Sequence, residues 1–214
     1  MKIVILLYPG LTVLDAIGPY EILGQLPKTE ILFVAKEKGN IKADTGFLEL
    51  VASHSISDID QCDILLIPGG GGSKNVRKDQ TILDWIRKIH PTTHYTTSVC
   101  NGSLILGAAG LLKGSTATTY WADEKRLQLY GATYRNERWV QEGKIITAAG
   151  VSAGIDMALM LVAKFAGDDM AKMIQLGVEY DPQPPFDCGS VKKSDPAHVA
   201  LLIKHHEAGA SDVS

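Results

Sequence analysis

Two residues in this chain are of a type and placement to do chemistry: a cysteine and an aspartate. The β-type run Thr97-Ser98-Val99 enters Cys100-Asn101-Gly102, and a small-residue helical stretch starts at once. That order predicts a nucleophile elbow, a strained strand-to-helix turn that holds a reactive atom at the edge of a sheet. A thiol there meets the unpaired N–H groups at a helix start, which favour its thiolate. The competing reading of Cys100 is a buried small apolar side chain, the common fate of a lone cysteine. Asp15, in Leu11-Thr12-Val13-Leu14-Asp15, is a carboxyl among apolar neighbours just past the first strand. It suits a proton donor or acceptor, with helix capping as the alternative. Glu21, further along the same stretch, reads as a solvated side chain.

The run Pro68-Gly69-Gly70-Gly71-Gly72 lacks the Lys-Ser/Thr of a phosphate loop and the G-x-G-x-x-G spacing of a dinucleotide site. It reads either as a loop whose backbone N–H groups meet a developing anion or as a turn needing positive φ. None of the six histidines, at 54, 90, 94, 198, 205 and 206, follows Cys100 within the next helix and strand. In Ala117-Thr118-Thr119-Tyr120-Trp121 a tyrosine stands where a histidine base would serve. His198, His205 and His206 read as surface residues. No His/Cys/Asp grouping has metal-ligand spacing, so no metal is expected. Cys62 and Cys188 read as structural or incidental.

The elements that must position these residues alternate between strand and helix. Ile3–Leu7, Ile31–Ala35, Asp63–Ile67 and His94–Val99 are apolar or β-branched runs typical of strands buried on both faces. Helical stretches are expected over Thr12–Leu26 (irregular near Gly18-Pro19), Asp79–His90, Ser103–Leu112 with Lys113-Gly114 as its stop, and Trp121–Tyr130. Further helices are expected over Ser152–Ala166, Asp168–Tyr180 and Pro196–Glu207, the last followed by a polar tail. Hairpins are expected over Ile41–Val51 and Trp139–Ile146, a short strand over Thr116–Thr119, and an irregular Pro-rich segment over Asp181–Gly189. Such alternation implies an α/β domain, a mostly parallel sheet with helices on both faces. Its site would lie at the carboxyl ends of the strands, where the Pro9-Gly10 to Asp15, Pro68 to Gly72 and Ser98 to Gly102 loops would meet.

Composition narrows the class. The 214 residues, 45% hydrophobic and 21% charged, suit a single domain over 1–214 with an ample core. A net charge of −3 with scattered Lys and Arg argues against nucleic-acid binding. Three unpatterned cysteines do not make a disulfide framework and fit a reducing compartment. The apolar start breaks at Pro9-Gly10, and no run reaches membrane-spanning length. A cytoplasmic chain without a membrane partner is expected.

Several segments resemble the ThiJ/PfpI superfamily, which shares its core with class I glutamine amidotransferases, and most closely the bacterial isocyanide hydratases within it. They are Leu14-Asp15-Ala16-Ile17-Gly18-Pro19, Ile67-Pro68-Gly69-Gly70, Ser98-Val99-Cys100 with Gly102-Ser103-Leu104, and Gly107–Leu112. Ala117-Thr118-Thr119 with Trp121, Ser152–Asp156, and Glu179-Tyr180 with Pro184-Pro185-Phe186 continue the likeness along nearly the whole chain. The resemblance implies a flavodoxin-like homodimer without cofactor, acting on a small molecule reached through an apolar pocket. It implies a Cys100 thiolate that attacks an isocyanide carbon to give a thioimidate, which water releases as an N-formamide. Asp15 would exchange protons, and backbone N–H groups at Gly70 and Gly71, beside Asn101, would hold the reacting group. The chain departs from that pattern where Asn101 replaces a threonine and Tyr120 a histidine, and Tyr120 and Trp121 are candidate pocket residues. The missing imidazole counts against an amidase-like Cys–His pair, and Asp15 stands where a glyoxalase-type enzyme would carry glutamate. A thiol-based small-molecule or redox sensor is the alternative outside enzymology.

Overall fold

A computed structural model describes residues 1–211. The strands are β1 (Lys2–Leu6), β2 (Glu30–Ala35), β3 (Gly39–Lys42), β4 (Glu49–Ala52), β5 (His54–Ser55), β6 (Ile64–Ile67), β7 (Tyr95–Val99), β8 (Thr116–Ala117), β9 (Thr133–Tyr134), β10 (Trp139–Glu142) and β11 (Ile145–Ala148). The α-helices are α1 (Val13–Leu23), α2 (Ser73–Val76), α3 (Gln80–Ile89), α4 (Gly102–Ala108), α5 (Glu124–Leu129), α6 (Ala153–Ala166), α7 (Asp168–Gly177) and α8 (Pro196–Ser211). Seven strands form the main sheet in the order β10-β11-β7-β6-β1-β2-β5. Every pairing in it is parallel except the β10–β11 hairpin.

The expected α/β architecture is therefore present, and its centre is dry. All four residues of β6, Ile64 to Ile67, and Ile3 to Leu6 of β1 are fully buried, each aliphatic side chain contributing about 2 kcal/mol of burial. The crossover from β1 to β2 runs one way along the sheet and those from β6 to β7 and β7 to β11 run the other. Right-handed crossovers in opposite directions place α1 on one face and α3 and α4 on the other. Helix α6 packs against α1 and α7. The adjacent strands β1 and β6 thus flank a topological switch point, where the crevice of such a sheet opens.

Several helix boundaries differ from expectation: the helix expected over Trp121–Tyr130 opens as a 3-10 turn and is α-helical over Glu124–Leu129, and α7 ends at Gly177 rather than Tyr180. Pro19 sits inside α1, but the helix runs through it and stops at Leu23. Helix α4 ends at Ala108, because Gly110 takes positive φ and turns the chain three residues before Lys113-Gly114. The stretch after Pro196 stays helical to Ser211, beyond the expected end at Glu207; residues 212–214 of the expected polar tail lie outside the described residues. Among the described residues no helix is long and apolar enough to cross a membrane.

The loops after β1 and β6 interlock backbone to backbone. The Gly72 N–H donates to the Gly10 carbonyl at 2.9 Å and the Thr12 N–H to the Gly69 carbonyl at 2.9 Å. A methyl added at Gly72 would stand 1.9 Å from the Pro9 carbonyl oxygen. Gly72→Ala is expected to destabilise the protein by about 3 kcal/mol, since backbone rather than a flexible side chain must yield. Urea unfolding midpoints measure this; a variant as stable as the wild type would mean that the two loops slide apart freely.

Candidate active site

Cys100 follows β7 with φ of +57°, a backbone region that non-glycine residues seldom occupy. The turn is pinned from several sides. Its N–H donates to the Ala148 and Ala149 carbonyls at 3.1 and 2.9 Å, tying it to the end of β11. Its carbonyl accepts from the Ser103 hydroxyl at 3.2 Å and the Thr119 hydroxyl at 3.3 Å. Gly69 lies against it so closely that a Cβ there would come within 2.8 Å of the Cys100 Cβ. The elbow expected at Cys100 is thus present, held by the loops after β6, β8 and β11 together.

The sulfur is nearly enclosed. Backbone N–H groups of Asn101 and Val151 hydrogen-bond it and favour the thiolate, but burial and then the Asp15 carboxyl outweigh them and push the thiol well above its ordinary range. Burial thus opposes the thiolate that the helix start and these donors favour. Val151 reaches the sulfur with φ of +36°, a strained conformation for a β-branched residue, costing on the order of 1–3 kcal/mol.

Asp15 does not cap a helix. Thr12 holds the cap position of α1, while the fully buried Asp15 accepts the Gly69 N–H on Oδ2 at 2.8 Å. Burial raises the carboxyl from 3.8 to about 7; the Gly69 N–H and the Cys100 thiol oppose that rise. Oδ1 is buried without a hydrogen-bond partner of proper geometry, although the thiol is close enough to stabilise the carboxylate. The result is a carboxyl and a thiol coupled in a water-poor pocket, with the carboxyl able to change protonation near neutrality.

The glycine-rich loop is more committed than its sequence suggests. The Gly70 N–H donates to Asn101 Oδ1 at 2.8 Å, so it is not available to a reacting group as expected; the buried amide of Asn101 takes it. Gly71 is solvent-exposed, and its N–H has no partner among the described residues. Asn101 thus serves the site twice, with its own N–H on the sulfur and its side chain steadying the loop.

Tyr120 and Trp121 do lie beside the elbow. The half-buried Tyr120 ring packs over Gly150, 5.4 Å from the Trp121 ring. Burial and then the Cys100 charge raise its phenol. Both aromatics line a cavity of about 480 Å³ with Tyr134 and Val151.

Three residues of this neighbourhood are not recognisable from local sequence. Tyr8 is buried and donates to the Pro68 carbonyl at 2.7 Å, bracing the β1 end against the loop after β6. Burial, Asp15 and Cys100 push its phenol up, and Arg77 opposes them. Asp123 is buried, and its Oδ1 meets Arg126 at 2.5 Å and His206 at 2.9 Å. Burial alone would raise that carboxyl, but His206 and Arg126 together hold it below the usual range. His206, expected at the surface, is instead part-buried, its ring 5.3 Å from Tyr120. No spacing could signal this, because 83 residues separate His206 from Asp123. Cys62 is buried, with its thiol pushed to about 12 by burial, and Cys188 is exposed; neither joins the site.

A mostly parallel sheet with a cysteine elbow one strand from its switch point, faced by a buried carboxyl, defines a class, and the chain belongs to the DJ-1/PfpI family, whose model matches residues 1–164. Within it, the chain is 42% identical to an isonitrile hydratase of Pseudomonas putida over 190 residues, 89% of this chain and 83% of that protein. The crystal structure of a THiJ/PfpI family protein from Pseudomonas syringae matches with a TM-score of 0.90 at 39% identity, covering 98% of this chain and 90% of that one. The transcriptional regulator CdhR of Pseudomonas aeruginosa is 25% identical over 181 residues, which span 79% of this chain and 52% of the regulator.

Proposed function

We propose that this protein is an isocyanide hydratase, converting R–N≡C and water to R–NH–CHO through Cys100. The observation that carries the reading is the buried Cys100–Asp15 pair, which has a carboxyl titrating near neutrality beside a thiol. The 42% identity to an isonitrile hydratase supports the same chemistry.

The arrangement of these groups supports the following steps. Asp15 takes the thiol proton as the sulfur bonds to the terminal isocyanide carbon, then returns it to that carbon, giving the thioimidate R–N=CH–S–Cys. The N–H groups of Asn101 and Val151 stabilise the anionic sulfur while its proton is away. Water adds to the C=N carbon, the nitrogen gains a proton, and the C–S bond breaks to release R–NH–CHO and restore the thiol. Atoms balance without a redox partner. A carboxyl near pH 7 suits both proton acceptance and return.

Purified protein with para-nitrophenyl isocyanide is expected to release the N-formamide with multiple turnovers, followed by absorbance and identified by mass spectrometry. Absence of formamide from folded protein, across aromatic and aliphatic isocyanides, would overturn the reading.

A further inference from the structure

Beside the elbow, on the Asn101 side, lies a second cleft of about 190 Å³ that the reaction scheme does not use. Its walls are rich in basic side chains. Lys74 and Arg77 come from α2 and the turn after it, Arg126 from α5, and His205 and His206 from α8. The acid in the wall, Asp123, is already engaged by Arg126 and His206. Arg77 spends only its Nε on a protein acceptor, the Ser73 carbonyl at 3.4 Å; its terminal nitrogens form no ion pair with any described residue.

Two neutral donors turn the same way. Asn101 is buried and lines the cleft; its Oδ1 is fixed by the Gly70 N–H, which leaves its amide nitrogen without an acceptor among the described residues. Gly71 lines the same space, and its N–H is likewise without an acceptor among the described residues. A half-buried guanidinium and two N–H donors around a small cleft form a receptor for a planar anion. Asn101 links the cleft to the elbow, lining the one and meeting the Cys100 sulfur with its own N–H, and the Arg77 charge is felt at Tyr8 beside Asp15.

We infer that this cleft binds a carboxylate carried on the substrate, so that isocyano carboxylic acids are preferred over neutral isocyanides. The inference rests on the hydratase reading for the isocyano group, while the carboxylate rests on the cleft alone. Arg77 and the Asn101 amide hold the carboxylate, and the isocyano carbon extends toward Cys100. Specificity then comes from charge rather than from apolar fit.

Two measurements separate the cleft from the chemistry. In the first, kcat/KM is compared for isocyanoacetate and its methyl ester. The acid is expected to be preferred by about 10- to 100-fold, the range of a charge-assisted hydrogen bond, and Arg77→Gln is expected to reduce that preference at least tenfold. In the second, binding of N-formylglycinate to the Cys100→Ala protein is followed by calorimetry, with the N-methylamide as the neutral control. Binding is expected for the acid, weaker by at least tenfold in the Arg77→Gln, Cys100→Ala double variant and weaker as salt rises. Turnover of both isocyanides at equal rates, with no binding of N-formylglycinate, would overturn the cleft and leave the hydratase standing. Binding through Arg77 in a protein that hydrates no isocyanide would support the carboxylate site and overturn the hydratase. Circular dichroism of each variant confirms that it is folded.

Discussion

Cys100→Ala is expected to lower isocyanide turnover by at least about 10³-fold while leaving the fold intact. The loss follows from the scheme, because alanine cannot form the carbon–sulfur bond, and removal of a nucleophile costs factors of this size or more. The fold should survive because alanine occupies the same backbone region as cysteine, and the turn is held by backbone and hydroxyl contacts to Ala148, Ala149, Ser103 and Thr119 rather than by the thiol. Steady-state kinetics with para-nitrophenyl isocyanide reads the first effect and thermal unfolding the second. Turnover within threefold of the wild type would remove Cys100 from the reaction.

Asp15→Asn is expected to cut turnover by about 10²- to 10⁴-fold, the usual contribution of a positioned acid–base group, and at the same time to stabilise the protein at alkaline pH. The second effect follows from the raised carboxyl. In the unfolded chain Asp15 ionises near 3.8, but in the folded protein near 7. Between those values the folded state binds the proton and the unfolded state does not. Stability contributed by this group is therefore lost as pH rises through that window and does not return above it. The difference corresponds to on the order of 4 kcal/mol. Asparagine cannot ionise, and its oxygen can still accept the Gly69 N–H. The gain in melting temperature of Asp15→Asn over the wild type should grow from about pH 4 to pH 7 and level off above. A variant less stable than the wild type at pH 8 would contradict the buried, uncompensated carboxylate; unimpaired turnover would contradict its proton-carrying role.

Much of this site is written locally in the chain. The strand runs ending at Leu6, Ile67 and Val99 and the turn residues after each are contiguous signals, and the sheet order brings their ends together. What lies between the loops is not local. The Gly70 N–H reads as available until the Asn101 side chain, 31 residues away, is seen to occupy it. The thiol's hold on its proton also depends on tertiary burial, which opposes the donors that the elbow supplies. His206 reads as a surface histidine because its partners, Asp123 and Tyr120, belong to a distant part of the chain. Helix α4 is shorter than its local sequence suggests because a single glycine, Gly110, leaves the helical region earlier than the next breaker in line.

The interlocked loops after β1 and β6 also bear on how this enzyme can diversify. Where one backbone lies against another without space for a methyl, as at Gly72 and Pro9, single substitutions meet a steep fitness barrier, and accepted change must come as paired exchanges in both loops. The rim formed by Tyr120, Trp121 and His206 meets its neighbours through side chains, which can yield where a backbone cannot. Directed evolution toward new substrates should therefore accumulate its accepted changes on that rim and leave the paired loops as an inherited constant.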